Sequence, residues 1–283
     1  MRGRSWLAAP FFVGAGLLVA LPAVAALALS LTEYSGIGGA RFIGLDNFER
    51  LLTDDAFWRS VGNTVIFIGL SVPLRLAAVI VLSLILFERF RGVTFARVGA
   101  YLPSVVPDVA YALLWLWVLN PLYGPLAAGL QGVGLTSPEW FTDPWAARLG
   151  VVLMSVFQIG EGFVIALAAR RALPQHVFEA ARVDGAGGWF VLRKVTLPMM
   201  APVLALLALR DVILALQVNF IPALLLTGGG PRYSTTFLPL FVYRQAFGYF
   251  RLGYASAVSL TMFVLTAAAV YVQYRLAKRW RLL

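Results

Sequence analysis

Six apolar runs, each long enough to cross a bilayer, divide this chain, and short charged connections separate them. They lie at about 7–31, 61–86, 98–119, 147–169, 199–226 and 254–275. Hydrocarbon about 30 Å thick is crossed by about 20 helical residues, whereas a barrel strand takes about 10. Only helices and closed barrels satisfy their backbone N–H and C=O groups in lipid. Runs of this length therefore predict an all-α, polytopic membrane protein with about six transmembrane helices. Composition agrees: 60% of residues are hydrophobic and 13% charged, against about 45–50% and 25% in soluble domains. The first run, 6–31, follows Arg2 and Arg4 and contains Ala-Val-Ala, as a signal peptide would. Signal cores run about 7–15 residues, so this longer run reads as an uncleaved first span.

The chain carries a net charge of +10. Its basic residues sit in short clusters between apolar runs and not along one soluble face, which points to orientation in a membrane and away from nucleic acid. With the N-terminus inside, the inner segments hold 14 Lys and Arg and the outer segments 6, or 7 with Arg148. Both termini are thus expected in the cytoplasm, with membrane lipid around the spans. The division that follows is a first span with an outer amphipathic segment (1–59), a core transmembrane domain (60–275) and a basic tail (276–283). Residues 42–58 read as one amphipathic helix on the outer surface, capped by Asp46 or Asn47. Residues 227–236 read as a glycine-rich outer turn, and 235–254 as an interfacial or re-entrant helix.

Groups able to do chemistry are few. There is no cysteine, hence no disulfide framework and no thiol nucleophile. His176 is the single histidine, and Glu179 beside it does not make a metal set. Nucleophile-elbow, zinc-protease and dinucleotide-loop motifs are absent. Neither Lys194 nor Lys278 sits in a phosphate-binding loop. The chain reads as a non-enzyme with no metal or cofactor of its own. If ATP drives its work, ATP and magnesium belong on another chain.

One segment, 173–198, interrupts the oil with charge and with three glycines in four residues. Pro174 suits a first helical turn. Helix-forming residues follow, with Phe178, Ala181 and Arg182 on one side. Asp184-Gly185 marks a stop. A second short helix is expected from Gly187, with Trp189, Phe190 and Leu192 apolar, and Pro198 is expected to end it before the fifth span. Two short helices joined at a glycine would form an exposed knob of apolar and charged groups, a shape suited to docking a partner.

That segment, EAARVDGAGGWFVLRKVTLP, resembles the EAA loop of type I ABC-importer permeases. Glu179-Ala180-Ala181, Gly185, Val195 and Leu197-Pro198 fall at every spacing of the motif. FIGLDNFERLL, YLPSVVPDVAYALLWLWVLNPLYG, LTGGGP and FRLGYASAVS are similar to the carbohydrate-uptake branch, which includes the maltose and glycerol-3-phosphate importers, so the resemblance covers 42–275. It implies the type I importer transmembrane fold in a bacterial or archaeal plasma membrane. It also implies a second homologous permease, expected as a heterodimer, that completes the path. A cytoplasmic ABC ATPase dimer would receive the loops, and an extracytoplasmic substrate-binding protein would deliver the solute. By the same resemblance, Phe178, Glu179, Ala180, Ala181, Arg182, Asp184, Gly185 and Phe190 couple to the ATPase, with Gly185 as the joint.

Five ionisable residues fall near the middle of spans: Arg75, Asp108, Glu161, Arg210 and Asp211. Charge at that depth is costly and faces a partner or a water-filled path. Two readings stand side by side. The charges pair with one another, or some carboxylates bind solute hydroxyls, Glu161 first because Gly160 and Gly162 leave the backbone open. Gln217, Asn219, Ser256 and Ser259 are further path residues, with polar helix contacts as the alternative. Trp115 could stack on a sugar ring or belong to an interfacial belt. An ion-gradient-driven transporter using the midplane charges is the competing function, and it leaves the 173–198 segment unexplained.

Overall fold

The computed structural model of the chain describes residues 9–88, 90–217 and 220–279. The first span, α1 (Pro10–Ser30), exposes Phe11, Phe12, Leu17 and Leu18, as a helix suited to lipid does. Two short antiparallel strands, β1 (Thr32–Glu33) and β2 (Arg41–Phe42), fold the next connection back on itself. Then come α2 (Asp46–Thr53) and the second span, α3 (Asp55–Ile85).

The single helix expected at 42–58 is therefore two, and Asp54 separates them. Its backbone is extended, and its Oδ1 accepts hydrogen bonds from Ala56 N (2.9 Å) and Phe57 N (3.3 Å). Asp54, and not Asp46 or Asn47, is the residue that caps a helix N-terminus here. Asn47 serves the far end of α1 instead. Its Nδ2 donates to the carbonyls of Ser30 (2.8 Å) and Thr32 (2.9 Å), at a helix end that lacks partners of its own.

The third span is not the straight helix expected at 98–119. It is α4 (Val93–Ser104) and α5 (Asp108–Val118), bent by 103°. Pro107 pushes the residue before it out of the helical region, and its own ψ is 138°. After α6 (Pro125–Gly132), the fourth span is also broken, into α7 (Pro144–Phe157) and α8 (Gly160–Arg171), bent by 46°. The two breaks pack on each other. A Cβ on Gly160 would stand 2.8 Å from Tyr101 Cα, and Gly160 N donates to Ser104 Oγ at 2.8 Å. Carbonyls at the second break find side-chain donors: Tyr111 OH reaches Met154 O (2.9 Å) and Arg75 Nη1 reaches Ser155 O (2.8 Å). Irregular backbone inside a membrane protein persists only with such partners.

After α9 (Gln175–Val183), α10 (Gly188–Gln217) runs unbroken through Pro198, against the stop expected there. A π turn at Leu192–Thr196 widens the helix just where the proline ring would press and a carbonyl would lose its donor. The second arm of the 173–198 segment is thereby the end of the fifth span. The chain continues through α11 (Phe220–Pro222, prolonged by a wide turn Ala223–Thr227), α12 (Leu238–Tyr243) and the sixth span, α13 (Leu252–Arg279). Leu238 and Leu240 of α12 are fully buried against α3 and α13, so this short helix packs within the protein. The glycine-rich turn before it is pinned by Asn63, whose Nδ2 donates to Tyr233 O (2.6 Å), and by Arg148, whose Nε donates to Ser234 O (3.1 Å).

The main core joins Phe67 of α3, Tyr111 and Trp115 of α5, Met154 of α7, Leu226 and Phe237. The sixth span lies along the second half of the first, and Gly253 permits the approach: a Cβ there would sit 2.0 Å from Thr32 O.

Candidate functional site

Where the two broken spans face α3 and α10, a cavity of about 300 Å³ opens. All five midplane charges line it: Arg75 from α3, Asp108 at the start of α5, Glu161 from α8, and Arg210 and Asp211 from α10. Arg75 and Asp211 form a two-pronged pair, Nε to Oδ2 at 3.0 Å and Nη2 to Oδ1 at 3.5 Å. Asp211 is only 7% exposed and Arg75 17%. The same guanidinium holds Ser155 O, so Arg75 ties α3 to α10 and to the break in the fourth span. Arg210 pairs with Glu161 in a more open position. Asp108 meets no guanidinium among the described residues, and its Oδ1 accepts from Gln158 Nε2 at 3.3 Å. Asp108 and Glu161 stand in the first turns of α5 and α8, where helix N-termini favour negative charge.

Ser71 lies one turn before Arg75 and lines the same cavity. It is 1% exposed, and its hydroxyl has no hydrogen-bond partner.

Of the five path residues expected from sequence that are among the described residues, the structure places only Glu161 in this cavity. Trp115 is buried in the core, its ring 5.3 Å from Phe157; the 103° bend turns α5 so that this face packs inward. It is neither a stacking platform on the cavity nor part of a belt. Gln217 is exposed at the end of α10. Ser256 and Ser259 lie on α13 away from the cavity, and Ser259 Oγ bonds its own helix at Ala255 O (2.9 Å). Asn219 lies outside the described residues. Sequence reasoning missed Ser71, Ser104 and Gln158. The first had a signal, since Ser71 and Arg75 are four apart on one helical face. Ser104 and Gln158 are brought in by the breaks.

The 173–198 segment has a defined joint. α9 ends with Asp184 as cap, Gly185 at φ +72°, Gly185 N bonded to Arg182 O (3.0 Å) and Ala186 N to Ala181 O (2.9 Å). This paired pattern closes a helix with a left-handed residue. Gly187 then caps α10. Glu179, Ala180, Arg182 and Asp184 are exposed, and so are Trp189, Phe190 and Val183, the last at 88%. Phe178, expected as an anchor for a partner, is half-buried within the chain. The Arg170 guanidinium lies between its ring and that of Phe87, 4.4 Å from each.

Residues 55–282 match the family described as binding-protein-dependent transport system inner membrane component. The chain belongs to this family. The permease is 33% identical over 241 residues to the trehalose/maltose transport system permease protein MalF of Thermococcus litoralis, covering 84% of this chain and 80% of the relative. It is 29% identical over 275 residues to the sulfoquinovosyl glycerol transport system permease protein SmoG of Agrobacterium fabrum, covering 96% and 89%. Its fold matches a chain of a bacterial alginate ABC transporter solved with an alginate pentasaccharide-bound periplasmic protein. The TM-score is 0.84 at 24% identity, over 98% of this chain and 95% of the other. The permease is accordingly a multi-pass inner-membrane transport component and not a catalyst, and the ion-gradient reading gives way to binding-protein-dependent transport.

Proposed function

We propose that this permease forms half of the path of an ATP-driven importer for a carbohydrate or carbohydrate-like solute, and that α9 with the start of α10 is its contact with the ATPase. The observation that carries the reading is the joint at Gly185. It presents Glu179, Arg182, Asp184, Val183, Trp189 and Phe190 on one exposed knob, and one arm of that knob is continuous with the fifth span. Exposed apolar groups rimmed by charge mark a protein-binding surface. Displacement of the knob would be carried along α10 to Arg210 and Asp211, which line the cavity. In this reading both termini and the loop face the cytoplasm, ATP and magnesium are held by the ATPase dimer, and a second homologous permease closes the path. An extracytoplasmic binding protein supplies the solute, and the trehalose/maltose name of one relative supports a sugar.

Tagged permease, expressed with its ATPase and second permease, is expected to retain the ATPase on purification and to drive solute uptake in proteoliposomes. Glu179→Lys reverses the charge of the knob's most motif-defining residue. We expect it to insert normally, to lose most bound ATPase and to reduce uptake at least tenfold. Full ATPase retention and wild-type uptake by Glu179→Lys would remove the docking assignment.

A further inference from the structure

We infer that the C-terminal end of α13 holds one anionic phospholipid, its phosphate on Arg275, Lys278 and Arg279 and an acyl chain along Val272 and Leu276; this is independent of which solute the permease carries. Charge is unevenly placed along the chain. Asp211 is the last acidic residue: residues 212–283 contain seven Lys and Arg and no Asp or Glu. Three of these cations stand on the last two turns of α13, and among the described residues none of the three meets a carboxylate. Tyr271, Val272, Arg275, Leu276, Lys278 and Arg279 line one open recess there, and all six are exposed.

Spacing by four and then three puts Tyr271, Arg275 and Lys278 in one row and Val272, Leu276 and Arg279 in the next. Each row starts with an apolar group and ends on a cation about 10 Å further along the axis. That order matches a lipid, with its acyl chain toward the bilayer and its phosphate at the surface. The sixth apolar run ends near 275, which puts Lys278 and Arg279 at the level of headgroups. Arg275 reaches that level from the edge of the hydrocarbon, as long basic side chains do. Its guanidinium lies 5.7 Å from the Tyr271 ring, which orients the charge without neutralising it, and tyrosine suits the boundary of oil and water. A helix C-terminus by itself favours the two cations of the last turn, Lys278 and Arg279. It gives no reason for Arg275 or for the apolar groups beside it, and a bound phospholipid accounts for all of them. Each cation near an anionic membrane surface contributes roughly fivefold in affinity.

The test uses the purified complex of both permeases with the ATPase, in detergent, and native mass spectrometry to count the lipids that stay bound. The probes are phosphatidylglycerol and phosphatidylcholine with identical acyl chains. The combined variant Arg275→Gln, Lys278→Gln, Arg279→Gln is expected to retain one phosphatidylglycerol fewer per permease than the wild type, with phosphatidylcholine unchanged. Arg275→Lys with Lys278→Arg and Arg279→Lys keeps the charges and is expected to keep the lipid. If the glutamine variant does not assemble, Arg275→Gln alone decides by the same count, with an expected loss of roughly fivefold in phosphatidylglycerol affinity. Equal phosphatidylglycerol retention by wild type and glutamine variant overturns the proposal, as does an equal loss of phosphatidylcholine. Displacement of the lipid by an equal amount of glycerol phosphate would show that the acyl chain adds nothing, and overturns it too. Loss of the ATPase or second permease from the glutamine variant, at an unchanged lipid count, would assign the cluster to a protein contact instead.

Discussion

Gly185 sets the geometry of the 173–198 loop by backbone alone. Its φ is +72°, and an added Cβ would meet nothing within 4 Å. A substitution is therefore penalised by conformation and not by collision, by about 1–2 kcal/mol for an ordinary residue and more for a β-branched one. Asn tolerates the left-handed region where Val does not. We expect Gly185→Asn to keep most ATP-driven uptake and Gly185→Val to lose it at equal expression. Equal uptake by the two would show that the left-handed turn is not what the coupling needs. Asp211 is the opposite kind of residue, fixed by its partner. Removing one member of a buried pair costs about 3–5 kcal/mol, so Asp211→Asn should lower the detergent-solubilised thermal midpoint clearly. Glu161→Gln should move it little, because its pair is open to water and worth about 0–1 kcal/mol. Comparable shifts for both would contradict the difference in burial. The sequence showed that these charges sat at similar depth, but it did not show which would pair. Partner choice depends on where α3 meets α10, a contact between residues 136 positions apart.

At the scale of elements, the spans were legible from apolar length, while their breaks were not. Each proline was visible, yet its effect depended on its surroundings. Pro107 turns the third span through 103°, while Pro198 leaves the fifth intact because the adjoining π turn absorbs it. The break at Gln158 has no proline at all. It is stabilised from outside, by Gly160 against Tyr101 and by Tyr111 and Arg75 on the freed carbonyls. Likewise, the sequence placed Phe178 on a docking face, whereas Arg170 at the end of α8 holds it against Phe87. That clamp ties α9 to the fourth span and to the turn after the second. Each ring face is worth about 0.5–1 kcal/mol, and only the Phe178 face belongs to α9, so Arg170→Ala should loosen α9 by about that much, or roughly 2–5-fold in its opening equilibrium. Hydrogen exchange of the 177–183 amides is expected to quicken by that factor, and solute moved per ATP hydrolysed to fall while ATPase binding persists. Arg170→Lys should be intermediate, since it keeps the charge but loses the planar group that lies between the rings. Unchanged exchange in Arg170→Ala would make the clamp incidental.

For the whole molecule, the direction in which the six spans thread the membrane decides which surface meets the ATPase and which meets the binding protein. From the excess of Lys and Arg on alternate connections, 14 against 6, we expect the 173–198 knob inside and the 31–54 and 119–143 connections outside. The chain contains no cysteine, so single substitutions report position without background. Val183 on the knob, Ile37 after the first span and Leu122 after the third are each more than four-fifths exposed and are poor supports for packing, so cysteine at each should leave the fold intact. A membrane-impermeant maleimide applied to intact cells or spheroplasts is expected to label Ile37→Cys and Leu122→Cys and to spare Val183→Cys. Inverted membrane vesicles should give the reverse. The two halves of the experiment constrain each other, because an even number of spans separates Ile37 from Leu122 and an odd number separates Leu122 from Val183. If Ile37→Cys and Leu122→Cys fall on opposite sides, the broken third span does not cross, and the 103° bend at Pro107 would mark a re-entrant segment. If all three sides are exchanged together, the spans are right but the charge rule has been overridden, and the knob could not reach a cytoplasmic ATPase.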